Sequence, residues 1–287
     1  MAVKLLTDEE LHKLHDVQLE ILDVVADICK KESITWFLDG GTMLGAIRHQ
    51  GFIPWDDDID ISMIREDYDR FLECAPQLFP DEFTLLDPAT TNNCPFQFAK
   101  VIKNTTRFVT QEFLDAGLDM GIYLDIFPFD FPSKHLPTRK KQRRRTRVFT
   151  MLLYLYYSPH VFLPHGGFLG KLERGICIVG HQLLKVFTSS THLISRFNHW
   201  SLLGPRTGRQ STDLMCFSYP EYGVFAYDDF LPPSYGMFEG RKLPLINKPE
   251  VYLEQIYGDW QTIPPEDQRK THAPLEVIFD TTKDPQQ

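Results

Sequence analysis

The sequence has few cysteines and no long apolar run. Five cysteines are scattered over 287 residues, and no two of them form a CxxC pair. This odd, dispersed set argues against a disulfide framework and fits a reducing compartment. The longest apolar stretch, residues 148–157, has about ten residues, whereas a membrane-spanning helix needs roughly 20. We therefore expect no transmembrane helix.

The start of the chain predicts no secretory leader, and basic residues are not in excess. Its first residues, MAVKLLTDEELHKLHD, contain no basic segment followed by a continuous apolar stretch, so we expect a cytoplasmic protein. The formal net charge is -9 at pH 7, which argues against nucleic-acid binding because proteins of that class usually present a basic surface. Hydrophobic residues make up 43% and charged residues 24%, which is typical of a folded globular chain.

Helical and strand-like patterns alternate over the first 130 residues. Thr7 and Glu10 have the spacing of a helix capping box, and apolar residues then recur at steps of three and four. Segments rich in β-branched and aromatic residues predict strands. The fold class indicated is α+β, close to α/β. The predicted helices are an amphipathic one over 11–28, a short one at 42–48 capped by Thr42 and one at 65–79; the predicted strands are 34–38, 58–64, 83–86, 96–102, 107–110 and 122–127.

The composition changes after residue 132. A basic run is followed by helical patterns at 143–157 and 168–188 and then by a polar segment, which predicts a helical insertion. The end of the chain predicts a strand at 242–246, a helix at 249–257 and an exposed proline-rich tail. We expect a catalytic core at 1–132, a basic helical insertion at 133–217 and a C-terminal segment at 218–287 that packs back on the core.

Two carboxylates stand two residues apart in a predicted strand. Asp58 and Asp60 would project from the same face, because side chains alternate along a strand. Carboxylates held side by side repel each other unless a cation lies between them, and such oxygen ligands suit Mg²⁺ or Mn²⁺. The alternative is a solvated acidic loop, and Asp56 and Asp57 fit that description or a supporting position. We predict that Asp58 and Asp60 are catalytic metal ligands.

A third carboxylate, Asp125, lies in the apolar predicted strand 122–127. Burying an ionised carboxylate is costly without a metal ion or hydrogen-bond donors. We therefore predict that Asp125 is a third metal ligand or a general base. The alternative is an edge strand from which Asp125 points to solvent, and Asp130 is a weaker candidate for the same position.

A glycine turn precedes the carboxylate pair. Gly40 and Gly41 allow the backbone to approach an anion, and a helix beginning near Thr42 would point its positive end the same way. An ordinary turn is the alternative for Gly-Gly alone. The order of strand, Gly-Gly turn, helix and Asp-x-Asp strand predicts a phosphate-binding site beside the metal ligands.

Basic and aromatic side chains supply further candidates for substrate binding. Arg48 and His49 would hold donor phosphates, although a lone histidine such as His49 is as readily structural or at the surface. Trp55 would stack on a nucleobase or belong to the core. Lys100, near the end of a strand, would neutralise phosphate charge or be solvated at the surface. A C-terminal segment with rigid turns would close over phosphate as a lid or form an ordered tail. The predicted substrate-binding residues are Gly40, Gly41, Thr42, Arg48, His49, Trp55, Lys100, Arg269 and His272.

A strongly basic segment adjoins an apolar one in the predicted insertion. Residues 139–147 contain seven basic residues in nine, and the apolar residues 148–154 follow directly. This pattern predicts contact with an anionic membrane surface through residues 139–157, at the inner face of the membrane. A solvated helix face is the alternative. RNA binding is disfavoured because no RNA-binding signature accompanies the charges.

These motifs resemble the LicD family, which includes the catalytic domains of fukutin-related proteins. The resemblance rests on residues 39–60, on Asp125-Ile126-Phe127-Pro128, and on residues 257–260 with 264–265 and 269–272. It implies a nucleotidyltransferase-like mixed sheet flanked by helices, with the helical insertion as a variable part. No cysteine cluster is present for the structural zinc site of the fukutin-related branch, so the bacterial LicD type is the better match.

The resemblance also implies roles for individual residues and an activity. By position, Asp58 and Asp60 match the family's metal-binding pair, Asp125 its later carboxylate, and Gly40 to Thr42 its donor-binding turn. The implied reaction transfers phosphocholine from CDP-choline to a hydroxyl of a cell-surface glycan or its lipid-linked precursor, of teichoic acid, lipopolysaccharide or capsule type. The alternatives are a ribitol- or glycerol-phosphate transferase, a nucleotidyltransferase that releases pyrophosphate, and a non-enzymatic, acidic metal-binding scaffold.

Overall fold

The structure, a computed structural model, describes residues 5–159, 167–204, 212–269, 271 and 274–283. It confirms the predicted fold class, an α+β arrangement in which helices flank a mixed sheet. The helices of the described residues are α1 (Asp8–Glu32), α2 (Gly40–His49), α3 (Arg65–Cys74), α4 (Gln111–Ala116), α5 (Leu136–Tyr157), α6 (Gly167–Phe187), α7 (Ser190–Ser201), α8 (Tyr227–Phe230) and α9 (Pro249–Tyr257). The strands are β1 (Phe37–Leu38), β2 (Asp60–Ile64), β3 (Phe83–Leu86), β4 (Ala99–Lys103), β5 (Arg107–Val109), β6 (Tyr123–Phe129), β7 (Asp213–Leu214), β8 (Phe225–Ala226), β9 (Ser234–Phe238), β10 (Arg241–Leu245) and β11 (Glu276–Ile278).

A five-stranded sheet in the order β1-β2-β6-β4-β3 forms the centre of the fold. Strands β2 and β6 run parallel, and the other neighbouring pairs are antiparallel. Every residue of β6 is buried, because strands pair with both of its edges and α1 and α3 pack on it. Asp125 therefore lies in a central strand, and the alternative prediction that it points to solvent from an edge strand is wrong.

Strand β6 continues through Pro128 to Phe129, beyond its predicted end at residue 127. The N–H of Asp125 donates to the carbonyl of Ile59 on the β2 side of the strand. Because backbone N–H groups point alternately to the two sides of a strand, an N–H at position 128 would point toward β4. On that side β4 pairs with β6 only as far as Ile126. Proline therefore removes no hydrogen bond to β4, which is why the strand tolerates it.

Helix α1 begins with the predicted capping box. The Thr7 hydroxyl accepts from the N–H of Glu10, and the Glu10 carboxylate accepts from the N–H of Thr7. The apolar face of the helix packs on β4 and β6, where Leu14, Ile21 and Leu22 are fully enclosed. Burial of each such side chain contributes about 1.5–3 kcal/mol relative to exposure. The helix thus forms a fixed support behind the sheet.

Several predicted boundaries differ from the observed ones. Strand β2 begins at Asp60, so Asp58 lies in the preceding loop rather than in the strand. The predicted helix at 65–79 ends as an α-helix at Cys74 and continues as a 3-10 turn over Ala75–Gln77. Pro76 causes this change, because proline has no N–H to continue the α-helical ladder.

Helices α6 and α7 both pack on α5 within the predicted insertion. The prediction omitted α7 and started α5 too late. Gln142, fully buried on α5, accepts from the N–H of Ser133 and donates to the carbonyls of Trp200 and Ser201, which joins α5 to α7. The three-part division of the chain remains a prediction.

The C-terminal segment contacts the start of the chain at several places. The β9–β10 hairpin packs on β1 and α2, α9 contacts α2, and β11 pairs with β5. These contacts bring aromatic side chains of the C-terminal segment to the edge of the sheet where β1 leads into α2. Within the described ranges, no helix is both long and apolar enough to cross a membrane.

Candidate active site

Asp60 and Asp125 lie opposite each other on the parallel strands β2 and β6. Residues in register on adjacent strands share a face of the sheet, so the two carboxylates are neighbours. Asp58, in the loop before β2, lines the same cavity. The structure therefore brings together the three carboxylates that the sequence predicts, although Asp58 belongs to a loop.

Helix α2 begins beside these carboxylates, directly after β1. Its N-cap is Asp39, whose carboxylate accepts from the N–H of Gly40 at 2.9 Å, so the prediction of Thr42 as cap is wrong. Aspartate at this position has the extended backbone that an N-cap requires, one residue before the glycines. Thr42 lies inside the helix, and its hydroxyl accepts from the N–H of Asp60 at 2.8 Å.

The two glycines allow close packing of α2 on the acidic cluster. A Cβ atom on Gly40 would lie 3.1 Å from Oδ2 of Asp60, and one on Gly41 would lie 2.8 Å from Oδ2 of Asp56. Gly40 also has φ of +49°, which side chains rarely adopt. The positive N-terminal end of α2 therefore faces carboxylates, as an anion-binding helix end would.

Two aspartates at this site, Asp60 and Asp39, have raised pKa values. Burial raises the pKa of Asp60 well above its usual range, and the nearby carboxylates of Asp58 and Asp125 raise it further. Burial also raises the pKa of Asp39 to about 6, although Tyr252 and Gly40 donate hydrogen bonds to it. Keeping the carboxylates of Asp60 and Asp39 ionised in the folded protein therefore costs free energy.

Oδ1 of Asp60 is buried and has no hydrogen-bond partner among the described residues. Carboxylate oxygens of Asp56, Asp57 and Asp58 also lie within 4.8 Å of one another. An enclosed oxygen without a donor, next to other hard oxygen ligands, is an arrangement that a divalent cation would satisfy. The residues present therefore fit Mg²⁺ or Mn²⁺.

Two side chains of helix α1 hold the backbone of the acidic loop, residues 56–58. The ring Nε2 of His15 lies 2.8 Å from the carbonyl oxygen of Asp56, and the Gln18 amide donates to the carbonyl of Asp57 at 3.0 Å. Gln18 is buried and His15 stacks on Phe52, so both are held by packing. These two polar residues of α1 were not predicted to act near the site.

Lys100 on β4 pairs with Asp125. Its ammonium donates to both carboxylate oxygens of Asp125, at 2.5 and 2.7 Å, and it lies 3.9 Å from the ring centre of Tyr123. Lys100 is only 4% exposed, so the alternative of a solvated surface lysine is wrong. The pair partly offsets the charge of the third carboxylate, and the aromatic rings around Lys100 add cation–π attraction.

A cavity of about 650 Å³ opens above the carboxylates. Arg269 lies over the ring of Trp55 with its guanidinium carbon 4.2 Å from the ring centre. Arg48 donates to the carbonyl of Trp260 at 2.8 Å, which ties α2 to the C-terminal segment. Aromatic rings and two arginines therefore surround an acidic floor. The lining residues include Gly40, Gly41, Arg48, Trp55, Asp56, Asp58, Asp60, Asp125, Tyr219, Tyr222, Tyr257, Trp260 and Arg269.

Some predicted substrate-binding residues lie elsewhere. Thr42 does not line this cavity, and neither does His49, whose ring Nε2 faces Nε of Arg48 at 3.2 Å. His272 lies outside the described residues. Asp130, the weaker candidate, forms a buried ion pair with Arg65 at 2.7 Å and does not line the cavity. The predicted contacts of these residues with a donor remain predictions.

Tyr219 and Tyr222 were not predicted to contribute to the site. Their stacked rings lie 5.2 Å apart in the wall of the cavity. Both follow the insertion in the sequence, in a region without strong periodicity. Their tertiary position in the cavity wall identifies them.

Comparison with known proteins finds a matching domain family and several relatives. Residues 33–155 match the family described as LicD/FKTN/FKRP, nucleotidyltransferase domain. The chain is also 28% identical over 260 residues to the "Lipopolysaccharide cholinephosphotransferase LicD" of Haemophilus influenzae, covering 89% of this chain and 93% of that protein. The chain contains a LicD-family nucleotidyltransferase domain. This LicD domain holds Asp58, Asp60 and Asp125.

Two further relatives match short segments of this chain. The "Uncharacterized protein RT0683" of Rickettsia typhi is 45% identical over 51 residues, 18% of this chain and 16% of that protein. The human "Ribitol 5-phosphate transferase FKRP" is 40% identical over 43 residues, 15% of this chain and 9% of that protein. The matched range 33–155 excludes α1 and the C-terminal segment. The LicD domain therefore supplies the carboxylates, and later residues supply much of the aromatic wall.

Proposed function

We propose that this chain transfers a phosphorylated group, phosphocholine from CDP-choline in the first instance, to a hydroxyl of a glycan or its lipid-linked precursor. The observation that carries the proposal is the enclosed, unpartnered oxygen of Asp60 beside Asp58 and Asp125 in an open cavity. The H. influenzae relative is named as a cholinephosphotransferase and the human relative as a ribitol 5-phosphate transferase, which supports phosphoryl transfer.

The acidic floor would hold the cofactor, and other residues would hold the donor. Asp58, Asp60 and Asp125 would bind Mg²⁺ or Mn²⁺, which when bound supplies neutralisation of phosphate charge. Arg48 and Arg269 line the cavity and offer guanidinium groups to the diphosphate. The start of α2 adds its positive end, and the aromatic walls suit a nucleobase or a quaternary ammonium group.

In the proposed reaction, the acceptor hydroxyl attacks the choline-bearing phosphorus. The bond from that phosphorus to the bridging oxygen breaks, and CMP leaves with this oxygen. The hydroxyl proton passes to a carboxylate. Asp125 is our candidate for this general base, in addition to or instead of its role as a metal ligand. The ammonium of Lys100, bound to both oxygens of Asp125, holds this carboxylate in place.

A test of the proposed function is product analysis with the purified full-length chain. The protein and Mg²⁺ would be incubated with CDP-choline, CDP-ribitol and CDP-glycerol, each with and without a glycan acceptor. We expect acceptor-dependent release of CMP. Release of pyrophosphate from a nucleoside triphosphate would instead support a nucleotidyltransferase, and no turnover of any donor would favour a metal-binding scaffold.

We also propose that the protein binds the surface of an anionic membrane, where a lipid-linked acceptor would lie. Arg143, Arg144 and Arg145 are exposed on α5. The adjoining α6 exposes a stripe of apolar side chains at helical spacing, which includes Leu172, Ile176, Val179, Leu183 and Val186. A basic helix beside an exposed apolar stripe suits attachment to anionic lipid headgroups.

A further inference from the structure

A second cavity, of about 470 Å³, adjoins the first at the Lys100–Asp125 pair. Asp125 and Tyr219 line both cavities. Lys100 lines only the second one, on the side of Asp125 away from the acidic loop. A molecule in the second cavity would therefore meet Asp125 from the side opposite to a donor in the first.

Two hydroxyl groups in the wall of this second cavity lack a partner. Oγ1 of Thr150 on α5 and Oγ of Ser218 are buried and have no hydrogen-bond partner within the described part of the chain. Buried polar groups in folded proteins are usually paired, so each unpaired one needs an explanation. A polar ligand that forms hydrogen bonds with both hydroxyls would provide that explanation.

The rest of the wall combines aromatic rings with polar side chains, among them Gln97, Gln111 and Glu112. Phe96, Phe98 and Tyr154 line the cavity together with the two hydroxyls. Flat apolar rings suit the C–H faces of a sugar, and a few placed hydroxyls suit its polar edge. The ammonium of Lys100 is already engaged by Asp125, so the cavity offers no strong site for an anion.

We propose that the second cavity binds the acceptor, a sugar or polyol, and presents one of its hydroxyls to the first cavity past Asp125. This inference rests on the proposed function, because it assigns the donor to the first cavity. It adds Thr150 and Ser218 as residues that bind the acceptor, and Asp125 as the group that meets both substrates.

The experiment uses variants that remove each hydroxyl with little change of shape, Thr150→Val and Ser218→Ala. Thr188→Val is the matched control, because the Thr188 hydroxyl is also buried without a partner but lines neither cavity. We expect the two cavity variants to raise the KM for the acceptor by about five- to tenfold, as loss of a ligand hydrogen bond does. The KM for the donor should not change, any residual release of CMP without acceptor should match wild type, and the control variant should match wild type throughout.

A binding measurement separates this proposal from the proposed function. Saturation-transfer NMR would follow galactose, N-acetylglucosamine and ribitol with the full chain in the absence of donor. Binding that Thr150→Val weakens and Thr188→Val does not would support the cavity assignment even if no donor is turned over. If CMP release occurs but acceptor KM and sugar binding are the same in Thr150→Val and wild type, the cavity assignment is overturned and the transferase stands. Failure of all three probes to bind, or a raised donor KM, would also overturn it.

Discussion

The hydroxyl of Tyr252 on α9 donates a hydrogen bond to the carboxylate of Asp39, the residue that caps α2. Both side chains are buried, and 213 positions separate them in the sequence. The bond joins the C-terminal segment to the residue at which α2 begins. The C-terminal segment therefore helps to set the geometry of the acidic site.

Removal of this hydroxyl should weaken the fold. In Tyr252→Phe, the N–H of Gly40 is the one donor to the buried Asp39 that remains among the described residues, which should lower the free energy of unfolding by about 1–3 kcal/mol. Urea unfolding would measure the change. Tyr235→Phe, at a residue 60% exposed, is the control and should behave like wild type. Equal stability of the two variants would show that the bond contributes little.

Loss of the Lys100 ammonium should be more damaging. Lys100→Met would leave Asp125 buried without its cation and should cost about 3–5 kcal/mol, as for other broken buried pairs. The double variant Lys100→Met with Asp125→Asn should recover part of this loss, because no uncompensated charge remains. Thermal unfolding of both variants tests this, and a double variant that is less stable than Lys100→Met would contradict it.

The raised carboxyl pKa values make stability depend on pH. The pKa of Asp39 is raised to about 6 and that of Asp60 is raised well above its usual range. In the unfolded chain, aspartate side chains have a pKa of ~3.9. The folded protein therefore binds more protons than the unfolded chain above about pH 4. For the metal-free protein, the free energy of unfolding should fall as the pH rises through about 4 to 6, and further while Asp60 ionises.

Mg²⁺ should reverse this trend, since a metal ion binds ionised carboxylates and competes with protons. We expect added Mg²⁺ to raise the Tm more near pH 8 than near pH 5. Differential scanning fluorimetry at both pH values, with and without Mg²⁺, measures the effect. A larger Mg²⁺ effect at the lower pH would argue that the acidic cluster does not bind the ion.

The membrane proposal can be tested by co-sedimentation with vesicles. Changing Arg143, Arg144 and Arg145 together to Gln should weaken binding to phosphatidylglycerol vesicles, because each basic residue near an anionic surface contributes about 1 kcal/mol. Ile176→Ser tests the apolar stripe in the same assay. Lys30→Gln with Lys31→Gln, on α1, is the control. Unchanged binding of both the arginine and Ile176 variants would exclude this surface.

Much of the core could be predicted because its signals are local. The capping box at Thr7, the Gly-Gly turn and the apolar strand around Asp125 each depend on a few adjacent residues. The placement of Asp60 opposite Asp125 could not be derived in this way, because parallel pairing joins distant segments and has no local signature.

The remaining parts of the site depend on tertiary contacts. The Lys100–Asp125 pair requires β4 and β6 to be neighbours, and nothing in the sequence around Lys100 indicates that pairing. Tyr219 and Tyr222 lie in the cavity wall on a segment that packs on α5 and accepts a hydrogen bond from Gln255 of α9. The Asp39 cap was within reach of sequence rules, since an aspartate directly before a helix is a favoured N-cap.

The most direct test of the account is the rate of CMP release from CDP-choline by wild type and by Asp60→Asn, with and without Mg²⁺. Asp27→Asn, at an exposed aspartate of α1, is the control for a lost carboxylate. We expect Mg²⁺-dependent, acceptor-dependent release by wild type and Asp27→Asn, and a loss of at least ~100-fold in Asp60→Asn, because even outer-shell changes at metal sites cost 10- to 100-fold. Release by Asp60→Asn at the wild-type rate would contradict the proposed site.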